Sequence, residues 1–216
     1  MTAQSPTPHD LALLAAARRG DTDAVHAALL AGADVEARDE EGRTALLRTA
    51  LDDRVAVAEV LVAAGADVNA QDAHEDSAWL VTGVTGSVAM MRALLPGRPD
   101  VTLTNRFGGV SVIPASERGH AAYVRAVLAG TDTDVDHVNR LGWTALLEAV
   151  ILGDGERPHQ EVVEALLEAG ADPSLPDGDG VTARAHAERR GFHALARILR
   201  RAESQAAGAG QKGARR

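Results

Sequence analysis

The sequence contains no cysteine and a single lysine, Lys212, and only 2% of its 216 residues are aromatic. Without cysteine there is no disulfide framework, no thiolate nucleophile and no thiolate metal site. That fits a protein of the cytoplasm. Long apolar runs are missing too. Leu11–Ala17 is interrupted at once by Arg18 and Arg19, and the opening MTAQSPTPHD has no basic start, so neither a signal peptide nor a membrane partner is predicted. A formal charge of −9 argues against attraction to a phosphate backbone, and therefore against a nucleic-acid partner. Basic residues that are nearly all arginine, with abundant alanine, point to a GC-rich bacterial genome. What remains is 45% hydrophobic. A core of Ala, Leu and Val packs small side chains closely, which suits helices stacked near one another.

The residues that are present repeat. Ala-Gly-Ala-Asp occurs at 31–34, 64–67 and 169–172, each time closing an apolar run. Aligned on Thr44, the equivalent positions are Leu11, Thr44, Ser77, Val110, Thr144 and Thr182, at spacings of 33, 33, 33, 34 and 38. Each unit begins with a polar turn such as DEEGRT (39–44), NRLGWT (139–144) or DGDGVT (177–182). A short helical pattern follows, then a second one with paired apolar residues. Thr44, Ser77, Thr144 and Thr182 suit helix N-caps, and Asp10 is expected to cap the first unit. Leu13, Leu46, Trp79, Val112 and Leu146 fall at one register position and are expected to face the stack. Gly32, Gly65 and Gly170 are placed to end the second helices. No unit can bury both of its sides alone, whereas stacked neighbours bury one continuous core.

The period, the turn ending in Gly-x-Thr and the LLxAGAD pattern resemble the ankyrin repeat. The fold expected is therefore an all-α ankyrin-repeat solenoid of about six stacked helix-turn-helix units with short hairpin fingers. Its units fall at about 10–38, 39–71, 72–104, 105–138, 139–176 and 177–202, as one domain over 10–202. An N-terminal extension (1–9) precedes it, and a tail (203–216) without apolar periodicity is expected to be disordered. Thr-Ala-Leu-Leu at 44–47 and 144–147 departs from the family's Thr-Pro-Leu-His. The segment 137–173 is similar to one in small stand-alone bacterial ankyrin proteins.

Motifs for chemistry fail on context. GAGQKG (208–213) matches Gly-x-Gly-x-x-Gly, but no strand precedes it and no helix is expected after it. Asp132, Asp134 and Asp136 open like a calcium loop, yet His137 and Trp143 stand where Gly and the bidentate Glu belong. The histidines lack metal-ligand spacing and are expected as surface or capping residues. Glu40–Glu41 and Glu75–Asp76 are placed at water-exposed finger tips, with nothing to raise a carboxyl pKa. No catalytic residue, metal site or cofactor is implied.

The resemblance implies a non-catalytic module that binds a protein partner through its fingers and first-helix face, and that is monomeric when free. On that face the sequence places Arg43, Arg48, His74, Arg106, Phe107, Glu117, Arg118, Arg140, Trp143 and Glu148. Two of the five aromatics, Phe107 and Trp143, lie on adjacent fingers, where aromatic and Arg residues would carry binding energy. Trp143 has a second reading, as a residue that stiffens its finger. The alternative function is a small-molecule binder or enzyme. Its pocket would open at the irregular third and fourth units, around Pro96, Pro99 and Gly108–Gly109.

Overall fold

In the computed structural model residues 6–213 are described, with side chains as far as Ala206. Twelve α-helices occur among them, and the only extended pairing is two isolated antiparallel bridges, Arg38 with Thr44 and Pro176 with Thr182. The chain forms two compact units, Met1–Arg106 and Phe107–Arg216.

The first unit holds three helix pairs: α1 (Pro8–Arg19) with α2 (Thr22–Leu30), α3 (Ala45–Leu51) with α4 (Val55–Ala63), and α5 (Ala78–Thr85) with α6 (Val88–Leu94). A 3-10 turn, Leu95–Gly97, follows α6. First helices pack on first helices, α1 on α3 and α3 on α5; second helices pack likewise, α2 on α4 and α4 on α6. The second unit repeats the plan with α7 (Val112–Glu117), α8 (Ala121–Gly130), α9 (Ala145–Ile151), α10 (Arg157–Glu168), α11 (Ala183–Arg189) and α12 (His193–Gly213). There α7 packs on α9 and α9 on α11, while α8 packs on α10 and α10 on α12.

Local chemistry explains the boundaries. The hydroxyls of Thr44, Ser77, Thr144 and Thr182 accept the N–H groups of Leu47, Leu80, Leu147 and Ala185, which would otherwise be orphaned at the helix starts. Ser111, preceding α7, makes no such bond, in keeping with Val110 at the capping register. After the second helices, Gly32, Gly65 and Gly170 sit at φ 91°, 90° and 97°, the left-handed conformation that lets the chain turn away. Leu13, Leu46, Trp79 and Val112 are fully buried and Leu146 is 2% exposed. The stack-facing register read from the sequence therefore holds at all five positions.

Both chain ends differ from expectation. Asp10 is not the first cap. Thr7 caps α1, and Asp10 returns the bond from the third helical position, its carboxylate accepting Thr7 N–H at 2.7 Å. The reason is Pro8, which fits the first turn of a helix and draws its start back into the supposed extension. The same carboxylate accepts Asp34 N–H at 2.7 Å, so it also ties the first pair together. At the other end α12 does not stop near 202 but continues to Gly213. Leu195, Ala196 and Leu199 pay the nucleation cost by packing, and the Ala, Glu and Gln that follow propagate a helix already begun. Glu203 is held by Arg184 at 2.7 Å.

Backbone groups are bridged from one repeat to the next at the repeat offset. In the first unit Arg38 donates to the carbonyls of Gly42 (2.7 Å) and Gln71 (2.6 Å). Gln71 in turn donates to those of Glu75 (2.7 Å) and Thr104 (2.9 Å). Glu36 accepts Asp67 N–H at 2.7 Å and Asn69 accepts Asp100 N–H at 2.8 Å. In the second unit Asp136 accepts Asp172 N–H at 3.0 Å, and His137 Nε2 donates to Gly108 O at 2.8 Å.

Truncating a stack-facing residue should be costly while loss of one cap should be modest. Leu146→Ala is expected to lose about 2–5 kcal/mol of unfolding free energy and Thr144→Ala about 1 kcal/mol. Urea titration followed by helical circular dichroism measures both; equal losses would contradict the assigned roles.

Candidate functional site: the fingers and first-helix face

Four of the fingers are each closed by one side chain. Asp39 Oδ1 accepts the N–H groups of Glu41 (3.0 Å) and Arg43 (2.8 Å), and Asp72 Oδ1 those of His74 (2.8 Å) and Asp76 (3.0 Å). Asn139 does the same for Leu141 (2.9 Å) and Trp143 (3.0 Å), and Asp177 for Asp179 (3.0 Å) and Val181 (2.9 Å). For Asp39, Asn139 and Asp177 the remaining polar atom of the turn residue reaches a matched partner on the first helix. Asp39 Oδ2 receives Arg48 at 3.5 Å, and Asp177 Oδ2 receives His186 Nε2 at 2.6 Å. At Asn139 that atom is an amide donor, and the helix residue is a carboxylate: Asn139 Nδ2 donates to Glu148 Oε1 at 2.7 Å. In these three fingers the two positions match in chemistry because a buried donor must meet an acceptor.

In the first unit the basic candidates are engaged within the fold. Arg43 pairs with Asp72 at 3.4 Å, and Arg48 lies 3.5 Å from Asp39 and 3.6 Å from Glu41. His74 lies 3.7 Å from Asp72, and Arg106 pairs with Asp76 at 3.9 Å. Arg43, Arg48, Asp39 and Glu41, together with Arg18 and Arg19 of α1, line an open groove with Leu14 and Glu40. Asp76 corrects one expectation. It is half-buried, and burial first, then Asp72, raises its carboxyl pKa despite Arg106 and His74.

The second unit presents a different surface. Phe107 is 53% and Leu141 56% exposed, at the finger position that Glu41 and His74 occupy in the first unit. Their fingers are tied where Arg140 N–H donates to Phe107 O at 2.9 Å. Trp143 is half-buried beside them, Arg140 and Arg118 are exposed and Glu117 is half-buried. Glu148 lies beneath, only 6% exposed. Burial is the main reason its pKa rises to about 7; the Glu117 charge adds to it and the Asn139 bond opposes it.

Sequence reasoning missed three features. Leu141 was hidden because an exposed leucine in a turn carries no periodic signal. His159 was expected at the surface. It is buried, with Nδ1 2.7 Å from Asp154 and Nε2 2.8 Å from the Glu117 carbonyl, and so clasps the insertion between α9 and α10 to α7. Gly108 was expected near an opening but is a place of close packing, as is Gly97 beside Pro96. A Cβ at Gly97 would lie 2.5 Å from Val68, and one at Gly108 2.7 Å from Arg140. Pro96 lines an open groove between α4 and α6 with Val62 and Ala89. Among the described residues no group of three or more His, Asp or Glu side chains could hold a metal ion, and no helix is long and apolar enough to cross a membrane.

The raised pKa of Glu148 gives a signed expectation. A carboxyl whose folded pKa exceeds its unfolded value contributes stability that is fully present below about pH 4.5 and lost as pH rises through about 7. Glu148→Gln retains an acceptor for Asn139 but has no charge to bury. Relative to the unmodified protein it should gain on the order of 2–3 kcal/mol between pH 4.5 and 8, measured by urea unfolding across that range. Parallel stability curves would show that Glu148 does not titrate there.

Comparison with known proteins matches this architecture. A family model for ankyrin repeats (3 copies) matches residues 3–72 and 80–177. The ankyrin repeat protein YahD of Escherichia coli K12 is 40% identical over 186 residues, covering 86% of this chain and 92% of its own. The crystal structure of an ankyrin repeat domain from Acinetobacter baumannii AYE superposes with a TM-score of 0.83 at 43% identity, over 88% of this chain and 96% of that one. The ankyrin repeat domain of Bcl-3, described as a unique member of the IkappaB protein family, aligns with a TM-score of 0.79 at 27% identity, over 88% and 85% of the two chains. Ankyrin repeats are in general modules of protein–protein interaction. Helix pairs stacked at a 33-residue offset, fingers closed by one Asx side chain and this similarity along most of its length together make the chain a member of the ankyrin repeat family.

Proposed function

We propose that the protein is a non-catalytic binding module whose protein partner docks on the fingers and first-helix face. The anchors lie on the second unit: Phe107, Leu141 and Trp143, with Arg118 and Arg140 supplying charge and hydrogen bonds and Glu117 and Glu148 lying below. On the first unit Arg43, Arg48, His74 and Arg106 would take part only by exchanging their internal carboxylate partners, so they contribute less. One observation carries the reading. Two consecutive fingers of the second unit expose a large apolar residue at a position filled by Glu41 and His74 elsewhere. Neither side chain is required for stacking, and aromatic anchors in desolvated pockets dominate binding energy.

The test separates folding from affinity. Trp143→Ala should leave the urea midpoint near that of the unmodified protein, whereas Leu146→Ala lowers it markedly. Trp143→Ala should also remove on the order of 2 kcal/mol of partner binding, and Phe107→Ala or Leu141→Ala a comparable amount. Partners captured from a bacterial lysate by the full chain, quantified by mass spectrometry, provide the binding readout. If Trp143→Ala unfolds the protein as readily as Leu146→Ala, Trp143 stiffens its finger and the anchor is Phe107 with Leu141. If none of the three substitutions changes capture, the face is not the docking surface.

A further inference from the structure

The apolar ledge of Phe107 and Leu141 stands beside two carboxylates that the fold leaves unneutralised. Glu117 is the last residue of α7 and Glu148 lies in the first turn of the neighbouring α9. Glu148 Oε1 takes the Asn139 amide, while its second oxygen and the whole Glu117 carboxylate have no hydrogen-bond or ion-pair partner among the described residues. The surrounding cations are committed elsewhere. His186 of α11 is bonded to Asp177, and Arg190 donates to the carbonyls of Val150 and Ile151 while covering the Phe192 ring at 4.4 Å. His159 of α10 bonds the backbone carbonyl of Glu117, not its carboxylate. Arg118, next to Glu117, is exposed and forms no ion pair with it.

Two like charges, one 6% exposed, destabilise each other and make a place where an incoming positive charge is favourable. Trp143, half-buried on the same finger, offers an aromatic face of the kind that attracts a cation. At the equivalent finger position of the first unit stands Arg43, paired internally with Asp72. At that finger position the second unit has Gly109, Trp143 and Val181, none of them charged.

We propose that this face takes a lysine or arginine side chain of the partner between Glu117 and Glu148, and that an apolar residue a few positions away in the same segment rests on Phe107 and Leu141. The inference rests on the docking surface argued above and adds the chemistry of what docks. A basic side chain fits better than a metal ion, because it brings its own hydrogen-bond donors and needs no third carboxylate.

Entry of the cation requires Glu148 ionised, so affinity should follow its titration. With a pKa of about 7 in the free protein, the ionised fraction rises about tenfold between pH 6 and pH 8, and the apparent Kd should fall by about the same factor.

The experiment pans an unbiased phage-displayed peptide library against the full chain at pH 8 and measures selected, histidine-free peptides by fluorescence anisotropy. Lysine and arginine keep their charge across this range, so the pH slope belongs to the protein. Expected are enrichment of Lys or Arg a few residues from Leu, Phe or Trp, binding about tenfold tighter at pH 8 than at pH 6, and loss of that slope in Glu148→Gln. The Glu148→Gln control also separates Glu148 from His120, His137, His159 and His186. Glu117→Gln, at a half-exposed helix end, carries the same test through weakened binding should Glu148→Gln fold poorly. Peptides that lose binding in Trp143→Ala but show no basic enrichment, or that bind Glu117→Gln and Glu148→Gln as well as the unmodified chain, overturn the cation site and leave the docking surface standing. Peptides that bind regardless of Trp143→Ala and Phe107→Ala, or a library that enriches nothing, overturn both.

Discussion

Within each unit the structure depends on polar side chains that cross from one repeat to the next. A finger of six or so residues cannot satisfy its own backbone, and an unsatisfied carbonyl or N–H away from water is expensive. Arg38 and Gln71 solve this by serving two turns at once, each bonding a carbonyl of its own finger and one of the next. Glu36 and Asn69 do the converse on the loop side, accepting an N–H from the following repeat. Apolar stacking supplies most of the stabilisation, but it is tolerant of sliding. The bridges fix the register, because a donor at a 33-residue offset has only one carbonyl within reach.

The same logic makes the fingers usable as a surface. Asp39, Asp72, Asn139 and Asp177 each hold a turn closed from inside, which frees the outward side chains from structural duty. Their character can then change without disturbing the stack. In the first unit those side chains are charged and largely satisfied by one another, through Arg43 with Asp72 and Arg48 with Asp39. In the second unit they are Phe107 and Leu141, above Glu117 and Glu148. Where the turn residue is Asn139 in place of Asp39 or Asp177, the helix partner is Glu148 in place of Arg48 or His186, so that repeat carries a buried carboxyl. Burial there, reinforced by the Glu117 charge and opposed by the Asn139 bond, raises the Glu148 pKa to about 7.

The insertion between α9 and α10 illustrates how an irregular repeat is accommodated. Extra residues in LGDGERPHQE lengthen the link between the paired helices, and His159 at the start of α10 spends both ring nitrogens on clasping the link and α7. With both ring nitrogens facing acceptors, the Asp154 carboxylate and the Glu117 carbonyl, this buried ring ties the longer loop to α7.

The sequence by itself determined the repeat. Leu13, Leu46, Trp79, Val112 and Leu146 are buried where their common register placed them, and Thr44, Ser77, Thr144 and Thr182 cap the helices they precede. These features are local or periodic, so a single chain displays them without knowledge of its neighbours. The tertiary structure decided everything that needs a second element. Packing of Leu195 and Leu199 carried α12 through a segment with no apolar pattern, and Pro8 with Thr7 moved the first cap ahead of Asp10. Burial and a neighbouring charge set the pKa values of Asp76 and Glu148, and no spacing in a sequence reports a side chain's distance from water. Leu141 and Phe107 share a register position, yet their exposure follows from the fold around them, since periodicity marks which residues recur and only packing determines which are covered.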